Sequence, residues 1–182
     1  YNRKCEIYIQ TNGTIINSRI IDLISKLNIH LGISLDALSP ALFESIRKNA
    51  DFDLVKQNIE AYNAALRSNN KYLQISACPM TVNMNEVPSL MDYCNRLHAQ
   101  LFFNTVNFPK KFSLSQLGSD LLNSYIKLLK SSRYPSFDNP NFENNKIKLD
   151  GLVQMMQYYS DRNKTLENTI PAEKLSTVIS GI

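Results

Sequence analysis

The sequence predicts an α/β fold of parallel strands, curved into a partial barrel and followed by helices. Three observations carry the prediction. Short strand-like stretches alternate with longer helix-like ones up to about residue 108, with connections long enough for right-handed crossovers. The strands are apolar on one face and more hydrophilic on the other, whereas a parallel sheet covered by helices on both sides is apolar on both. After Pro109 the strand patterns stop and helical periodicity takes over.

The first strand is expected over Cys5 to Gln10, ending in the turn signal Thr11-Asn12-Gly13. A helix over about 15–27 follows from Ile16, Ile20, Leu23, Ile24 and Leu27, which recur at helical spacing. The second strand is Ile29 to Leu35. Ser39 then offers an N-cap and Pro40 suits a first helical position, where its missing N–H is no loss. A short helix (about 40–48) and a longer one (about 52–67) are broken by Asn69-Asn70 before a third strand, Tyr72 to about Met80. Val87, Leu90, Met91, Cys94 and Leu97 mark a helix over about 85–98, with Pro88 in its first turn. A fourth strand runs from about Leu101 to Asn107. Beyond it come a helix over about 115–131, an irregular loop from Ser132 to Asn145, and a last helix over about 147–162. The expected division is a barrel-like part, 1–109, and a helical extension, 110–182.

Strand parity points toward chemistry. In the second strand Ile29, Leu31, Ile33 and Leu35 share one face, and His30, Gly32, Ser34 and Asp36 the other. The first strand sets Ile7 and Ile9 against Glu6, Tyr8 and Gln10; the third sets Leu73, Ile75 and Ala77 against Gln74, Ser76 and Cys78. A sheet with one side open to water explains this, and so does a curved sheet around a polar cavity; the parallel order favours the cavity. Ligands in such folds sit at the carboxyl ends of the strands.

Composition sets bounds. The 182 residues are 43% hydrophobic and 20% charged with a net charge of +4, values of an ordinary globular domain. No basic block argues for nucleic acid, and no apolar run is long enough to span a bilayer. The chain opens on Tyr1 without a Met or an apolar leader, which reads as a cut-down or processed chain. Cys5, Cys78 and Cys94 are odd in number and widely spaced, as expected of reduced thiols in a cytoplasmic protein. They read as buried small hydrophobes rather than ligands.

Four segments, taken in order, resemble the radical S-adenosylmethionine (SAM) superfamily. Gln10-Thr11-Asn12-Gly13 is similar to the turn after that family's third strand, and Gly32-Ile33-Ser34-Leu35-Asp36-Ala37 to the Ser-Leu-Asp segment ending its fourth. Ser45-Ile46-Arg47-Lys48-Asn49 resembles the Ile-Arg element that follows. Val82-Asn83-Met84-Asn85-Glu86-Val87 resembles the Asn-x-x-Glu segment after the fifth strand. The likeness covers about residues 7–108; Ala37 departs from it, standing where Gly or Ser is common. After 108 a looser likeness, in Tyr159-Ser160-Asp161-Arg162-Asn163, is to members that modify peptides or proteins.

The resemblance implies the last four strands of a six-stranded partial barrel. In the family a C-x-x-x-C-x-x-C loop holds a [4Fe–4S] cluster, which reductively cleaves SAM to a radical that abstracts hydrogen from substrate. Neither that loop nor the family's Gly-Gly-Glu segment is in this sequence. The expectation is a fragment of a radical SAM enzyme, inactive alone and binding no cofactor by itself, whose parent protein uses SAM and the cluster. The alternative is a noncatalytic binding module on a degenerate barrel. An unrelated α/β nucleotide or phosphate site is a weaker reading, since no G-x-G-x-x-G or P-loop occurs.

The implied SAM-binding residues are Thr11, Asn12, Ser34, Asp36, Arg47 and Asn83. Ser34 suits the ribose or carboxylate, and Arg47 the carboxylate, which a guanidinium matches with two hydrogen bonds. Asp36 takes either a ribose hydroxyl or a turn N–H; Thr11 and Asn12 take either ligand or the turn that Gly13 shapes; Asn83 takes either adenosine or a helix start. His30 reads as a hydrogen-bonded interior histidine, His98 as structural, and Tyr158-Tyr159 as packing on the last helix. Without the first two barrel strands, the Cys5–Gln10 strand is an exposed edge, so a dimer or an edge-capped packing is expected. The substrate is unknown, with a peptide or protein one possibility.

Overall fold

The computed structural model describes residues 5–169. Four parallel strands, β1 (Ile7–Thr11), β2 (Ile29–Ser34), β3 (Gln74–Ala77) and β4 (Gln100–Phe103), lie side by side in chain order. Between them run α1 (Ser18–Lys26), α2 (Pro40–Ile46), α3 (Phe52–Arg67) and α4 (Val87–Arg96), and the chain continues into α5 (Ser119–Ser131) and α6 (Phe142–Thr169). The sheet is the parallel α/β arrangement that the alternation predicts.

One face of the sheet makes the main core. Ile29, Leu31, Ile33, Leu35, Leu73, Ile75 and Leu101 are buried with Val55, Ile59 and Leu66 of α3 and Leu90, Met91 and Cys94 of α4. Each of those helices starts as its sequence dictates. Asp51 caps α3 by accepting the Leu54 N–H at 2.9 Å, and Pro88 sits in the first turn of α4. A second core forms where α5 and α6 pack together, from Leu122, Ile126 and Leu129 against Leu149, Leu152 and Met156, and it reaches Met84 and Val87 at the start of α4.

Three local expectations are corrected. The last helix begins at Phe142, inside the stretch expected to be a loop. The asparagines that make that stretch look irregular are instead hydrogen-bonded to the sheet: Asn145 is fully buried, and its Oδ1 accepts the Leu101 N–H at 2.7 Å. Ser39 occupies the N-cap position of α2 but does not cap it with its own side chain. The Glu86 carboxylate takes the Ser39 N–H at 3.1 Å and is also the acceptor for the Leu38 N–H and the Ser39 hydroxyl. The residues 78–80 expected to extend β3 leave the ladder, and Asn83 Oδ1 takes the Met80 N–H at 2.7 Å.

The two sheet edges are treated differently. The start of the β4 edge is covered by the segment leading into α6 and its first turn: Asn139 and Asn145 donate to the Ala99 carbonyl at 3.2 and 3.0 Å, and Asn141 donates to the His98 carbonyl at 3.1 Å. At the β1 edge, Ile7 donates its N–H inward to Asn28 at 2.9 Å, so the backbone groups of Tyr8 and Gln10 face away from the sheet. Ile7 and Ile9, on the helix-facing side, stay 37% and 40% exposed. Among the described residues no helix is long and apolar enough to cross a membrane.

Candidate functional site

The hydrophilic sheet face is a connected layer. Strand register places Gln10, Gly32, Gln74 and Gln100 in one row and Ser34, Ser76 and Phe102 in the next. Gln10 Nε2 donates to Ser34 Oγ at 3.0 Å, Ser76 Oγ donates to Gln10 Oε1 at 3.3 Å, and Gln74 Nε2 donates to Ser76 Oγ at 3.0 Å. The Gln10 side chain fits because it lies over a glycine: a Cβ on residue 32 would collide with Gln10 Oε1. Lower on this face a cleft of about 410 Å³ is lined by Tyr8, His30, Tyr72, Gln74 and Gln100.

At the carboxyl ends of the strands, the turn after β1 is tied to α3, and the loops after β2 and β3 are tied to each other. Gly13 has φ +74°, a conformation glycine adopts without strain, and lies against Ile33. Asn12 Oδ1 accepts the Thr14 N–H at 3.2 Å, and Thr11 Oγ1 accepts the Gly13 N–H at 3.2 Å. Asn58 of α3 donates to the Gly13 carbonyl at 2.8 Å, so the turn is held from behind by a buried amide.

Asp36 is the junction of the next two loops. Its Oδ1 accepts the Cys78 N–H at 2.7 Å, and its Oδ2 pairs with Arg47 Nη2 at 2.7 Å. The Asp36 side chain is 3% exposed and that of Arg47 26%. Arg47 Nε is buried and has no hydrogen-bond partner. Asn83 is 2% exposed and fully engaged: Nδ2 donates to the Asp36 and Cys78 carbonyls, both at 2.9 Å, while Oδ1 holds Met80.

The structure thus brings Ser34, Asp36, Arg47 and Asn83 to one end of the sheet, with Thr11 and Asn12 at the end of the neighbouring β1. Their occupations differ. Asn83 and Asp36 bind backbone and Arg47, whereas Arg47 Nε and the half-buried Ser34 hydroxyl remain the polar atoms best placed for a ligand. Sequence reasoning missed Gln10 and Glu86 as contributors. Gln10 shares the parity of Ser34, and Glu86 stands three residues after Asn83, so both signals were present.

Two side-chain expectations are corrected here. His30 is exposed rather than interior: its ring stacks on Tyr8 at 4.7 Å, with Glu6 Oε2 3.9 Å from Nε2, because the hydrophilic face is uncovered beside an edge strand. Cys5 is exposed at the start of β1, whereas Cys78 is half-buried and Cys94 is sealed in the core. Burial pushes the Cys94 thiol far up, and burial with the nearby Asp36 carboxylate raises Cys78, so neither is a ready thiolate. Tyr159 packs on the second core, while Tyr158 is 64% exposed.

The residues present do not fit an iron–sulfur cluster. Among the described residues no three of His, Cys, Asp or Glu gather as ligands, and the three cysteines are free. The nucleoside and amino-acid parts of SAM are a better match: an orphaned guanidinium N–H beside hydrophilic strand ends is suited to a carboxylate or hydroxyl.

Fold and site together define a parallel α/β sheet with a cluster of buried polar side chains at its strand ends. No protein-family model matches the chain. Over 96 residues the chain is 27% identical to proteins described as probable GTP 3',8-cyclases from three strains of Methanococcus maripaludis, among them S2 and C5. The matched stretch is 53% of this chain but 31% of each relative, so the chain spans less than a third of their length. GTP 3',8-cyclases are radical SAM enzymes, and this weak likeness supports a relation at the level of that superfamily.

Proposed function

We propose that this chain forms the later strands of a radical SAM-type barrel and supplies the part of the pocket that holds SAM away from the cluster. The observation that carries the reading is the strand-end cluster, in which Arg47 is braced by Asp36 and keeps a buried Nε–H without a partner, at the same end of the sheet as Ser34. An unpaired buried donor costs about 1–3 kcal/mol unless a ligand or water takes it, so the site is built for an acceptor. The SAM carboxylate is such an acceptor, and Ser34 offers a hydroxyl to the same group or to the ribose. Thr11 and Asn12 reach the ligand from β1 only with side chains that also shape the Gly13 turn. Asp36 and Asn83 fix the loops.

When bound with its cluster, SAM supplies a carbon radical for hydrogen abstraction; the cluster ligands have to come from outside the residues described. This chain's own residues orient the cofactor and, through the hydrophilic sheet face, line the cavity beside it. The second reading, a noncatalytic module on the same barrel, draws on the absence of a ligand-spaced cysteine set among the described residues.

The test is anaerobic expression of the complete encoded polypeptide, iron and sulfide reconstitution, and assay for 5′-deoxyadenosine from SAM under a strong reductant. The catalytic reading expects cluster absorbance and SAM cleavage, with Arg47→Ala lowering cleavage at least about tenfold, the equivalent of one charge-assisted hydrogen bond. A polypeptide that assembles no cluster establishes the binding-module reading instead.

A further inference from the structure

We propose that the groove between the end of β4 and α6 binds an extended peptide, which pairs with the sheet edge at Phe103 and sets an acidic side chain against Lys148. The proposal rests on the radical SAM reading for its catalytic meaning, since it names a peptide as the substrate class brought to the strand-end site.

The first observation is an interruption in edge protection. Gln100 and Asn104 donate their N–H groups to Leu73 and Ala77 of the β3 side, both at 2.8 Å, so the backbone groups of Leu101 and Phe103 point outward. Asn139, before α6, and Asn145, within it, take the Ala99 carbonyl and the Leu101 N–H, and the asparagines go no further. Among the described residues, no hydrogen bond reaches the Leu101 carbonyl or the outward N–H and carbonyl of Phe103. Bare edge groups of this kind are what an added strand satisfies.

The second observation lies on the opposite wall. Gly151 is in the middle of α6, where glycine costs about 1 kcal/mol relative to alanine. Packing does not require it: a Cβ there would meet nothing within 4 Å. What the missing side chain does is keep open a groove of about 360 Å³, within the size range of ligand sites. Its walls are largely apolar and partly bare, with Phe102 38% and Ile147 65% exposed, and Met155 also lines it, with the Thr105 hydroxyl 3.6 Å from the Met155 sulfur.

Charge selects the occupant. Lys148 lines the groove with its ammonium 5.5 Å from the Phe102 ring centroid, and among the described residues no carboxylate pairs with it. Its neighbour Lys146 is by contrast matched by Glu143 at 3.6 Å. A peptide with alternating apolar side chains and one Asp or Glu satisfies the backbone edge, the apolar walls and the free cation together. Asn104 and Thr105 continue from β4 to the same end of the sheet as Ser34 and Asp36, so a peptide seated on Phe103 leads toward the proposed SAM site.

The test is an NMR titration of the ¹⁵N-labelled 182-residue chain with an acetylated, amidated octapeptide of alternating Val and Thr carrying one central Asp. The expected result is saturable shifts centred on residues 101–105 and 147–155, with exchange of the Phe103 amide slowed about tenfold or more. Gly151→Leu fills the groove without strain and abolishes those shifts. Lys148→Glu reverses the preference toward the same peptide with Lys in place of Asp, which keeps the test decisive if Gly151→Leu fails to fold. Shifts confined to β1, equal binding of the Asp and Lys peptides, or the same shifts produced by raising chain concentration alone would overturn the proposal, the last by showing a second copy on this edge. Binding of S-adenosylhomocysteine, followed on the same samples at residues 34–47, reports the SAM site separately, so either idea can fail without the other.

Discussion

Asp36 joins three segments with two oxygens, taking the Cys78 N–H on one and Arg47 on the other while almost completely buried. Breaking a buried pair by removing one partner strands the other charge, which costs about 3–5 kcal/mol; Arg47 is 26% exposed, so Asp36→Ala is expected near the lower figure. Urea unfolding of Asp36→Ala, Arg47→Ala and the double variant measures it, with the double variant close to the worse single one if the two act as a unit. The thiol of Cys94 gives a second prediction. Burial holds its pKa above the ordinary 9.0, so the folded chain keeps a proton that the unfolded chain releases. The Cys94 contribution to stability is therefore constant below about pH 9 and falls above it by up to about 1.4 kcal/mol per pH unit. Unfolding midpoints of the parent chain and of Cys94→Ala, compared at pH 8 and pH 10, should show the smaller alkaline loss in the variant. At this scale the sequence announces which residues meet but not how they divide their bonds. Asn83 reads equally as a ligand contact or a helix start, and only the positions of the Asp36 and Cys78 carbonyls show that its amide is used up by backbone.

Elements with strong local signals are legible from sequence, and those held by distant partners are not. The helix expected over 52–67 is found as Phe52–Arg67, because Asp51 caps it and its apolar residues recur on one face. The start of α6 is misread because asparagine is a poor helix former and clusters in turns, yet here Asn139, Asn141 and Asn145 are recruited by the backbone of residues 98–101. Asn145→Ala is expected to cost about 1–3 kcal/mol, since it leaves the Leu101 N–H and the Ala99 carbonyl short of partners. Hydrogen exchange should locate the damage: the Leu101 amide speeds up in the variant while amides within β2 keep their protection. Equal loosening of the whole sheet would mean that the asparagines do more than close this edge.

Across the whole molecule the two sheet edges differ: among the described residues the β1 edge is bare, whereas asparagines cover the β4 edge as far as the Leu101 N–H. The alternation of strand and helix was enough to set the parallel order, and strand parity was enough to find the hydrophilic face. What parity could not tell is that, among the described residues, nothing covers this face at β1, where His30 stacks on Tyr8. The outward backbone of Tyr8 and Gln10, with Ile7 and Ile9 bare beside it, is expected to recruit a strand. In sedimentation experiments the isolated chain should associate as concentration rises, and Ile9→Lys should shift it toward monomer, since edge lysines oppose pairing. A chain that stays monomeric at high concentration would show that this edge is not sticky. The central claim, that the strand ends hold SAM, is tested most directly by titrating the ¹⁵N-labelled chain with S-adenosylhomocysteine. Saturable shifts gathered at Ser34, Asp36 and Arg47, lost in Arg47→Ala, are expected; shifts scattered elsewhere, or binding indifferent to that substitution, would overturn the assignment.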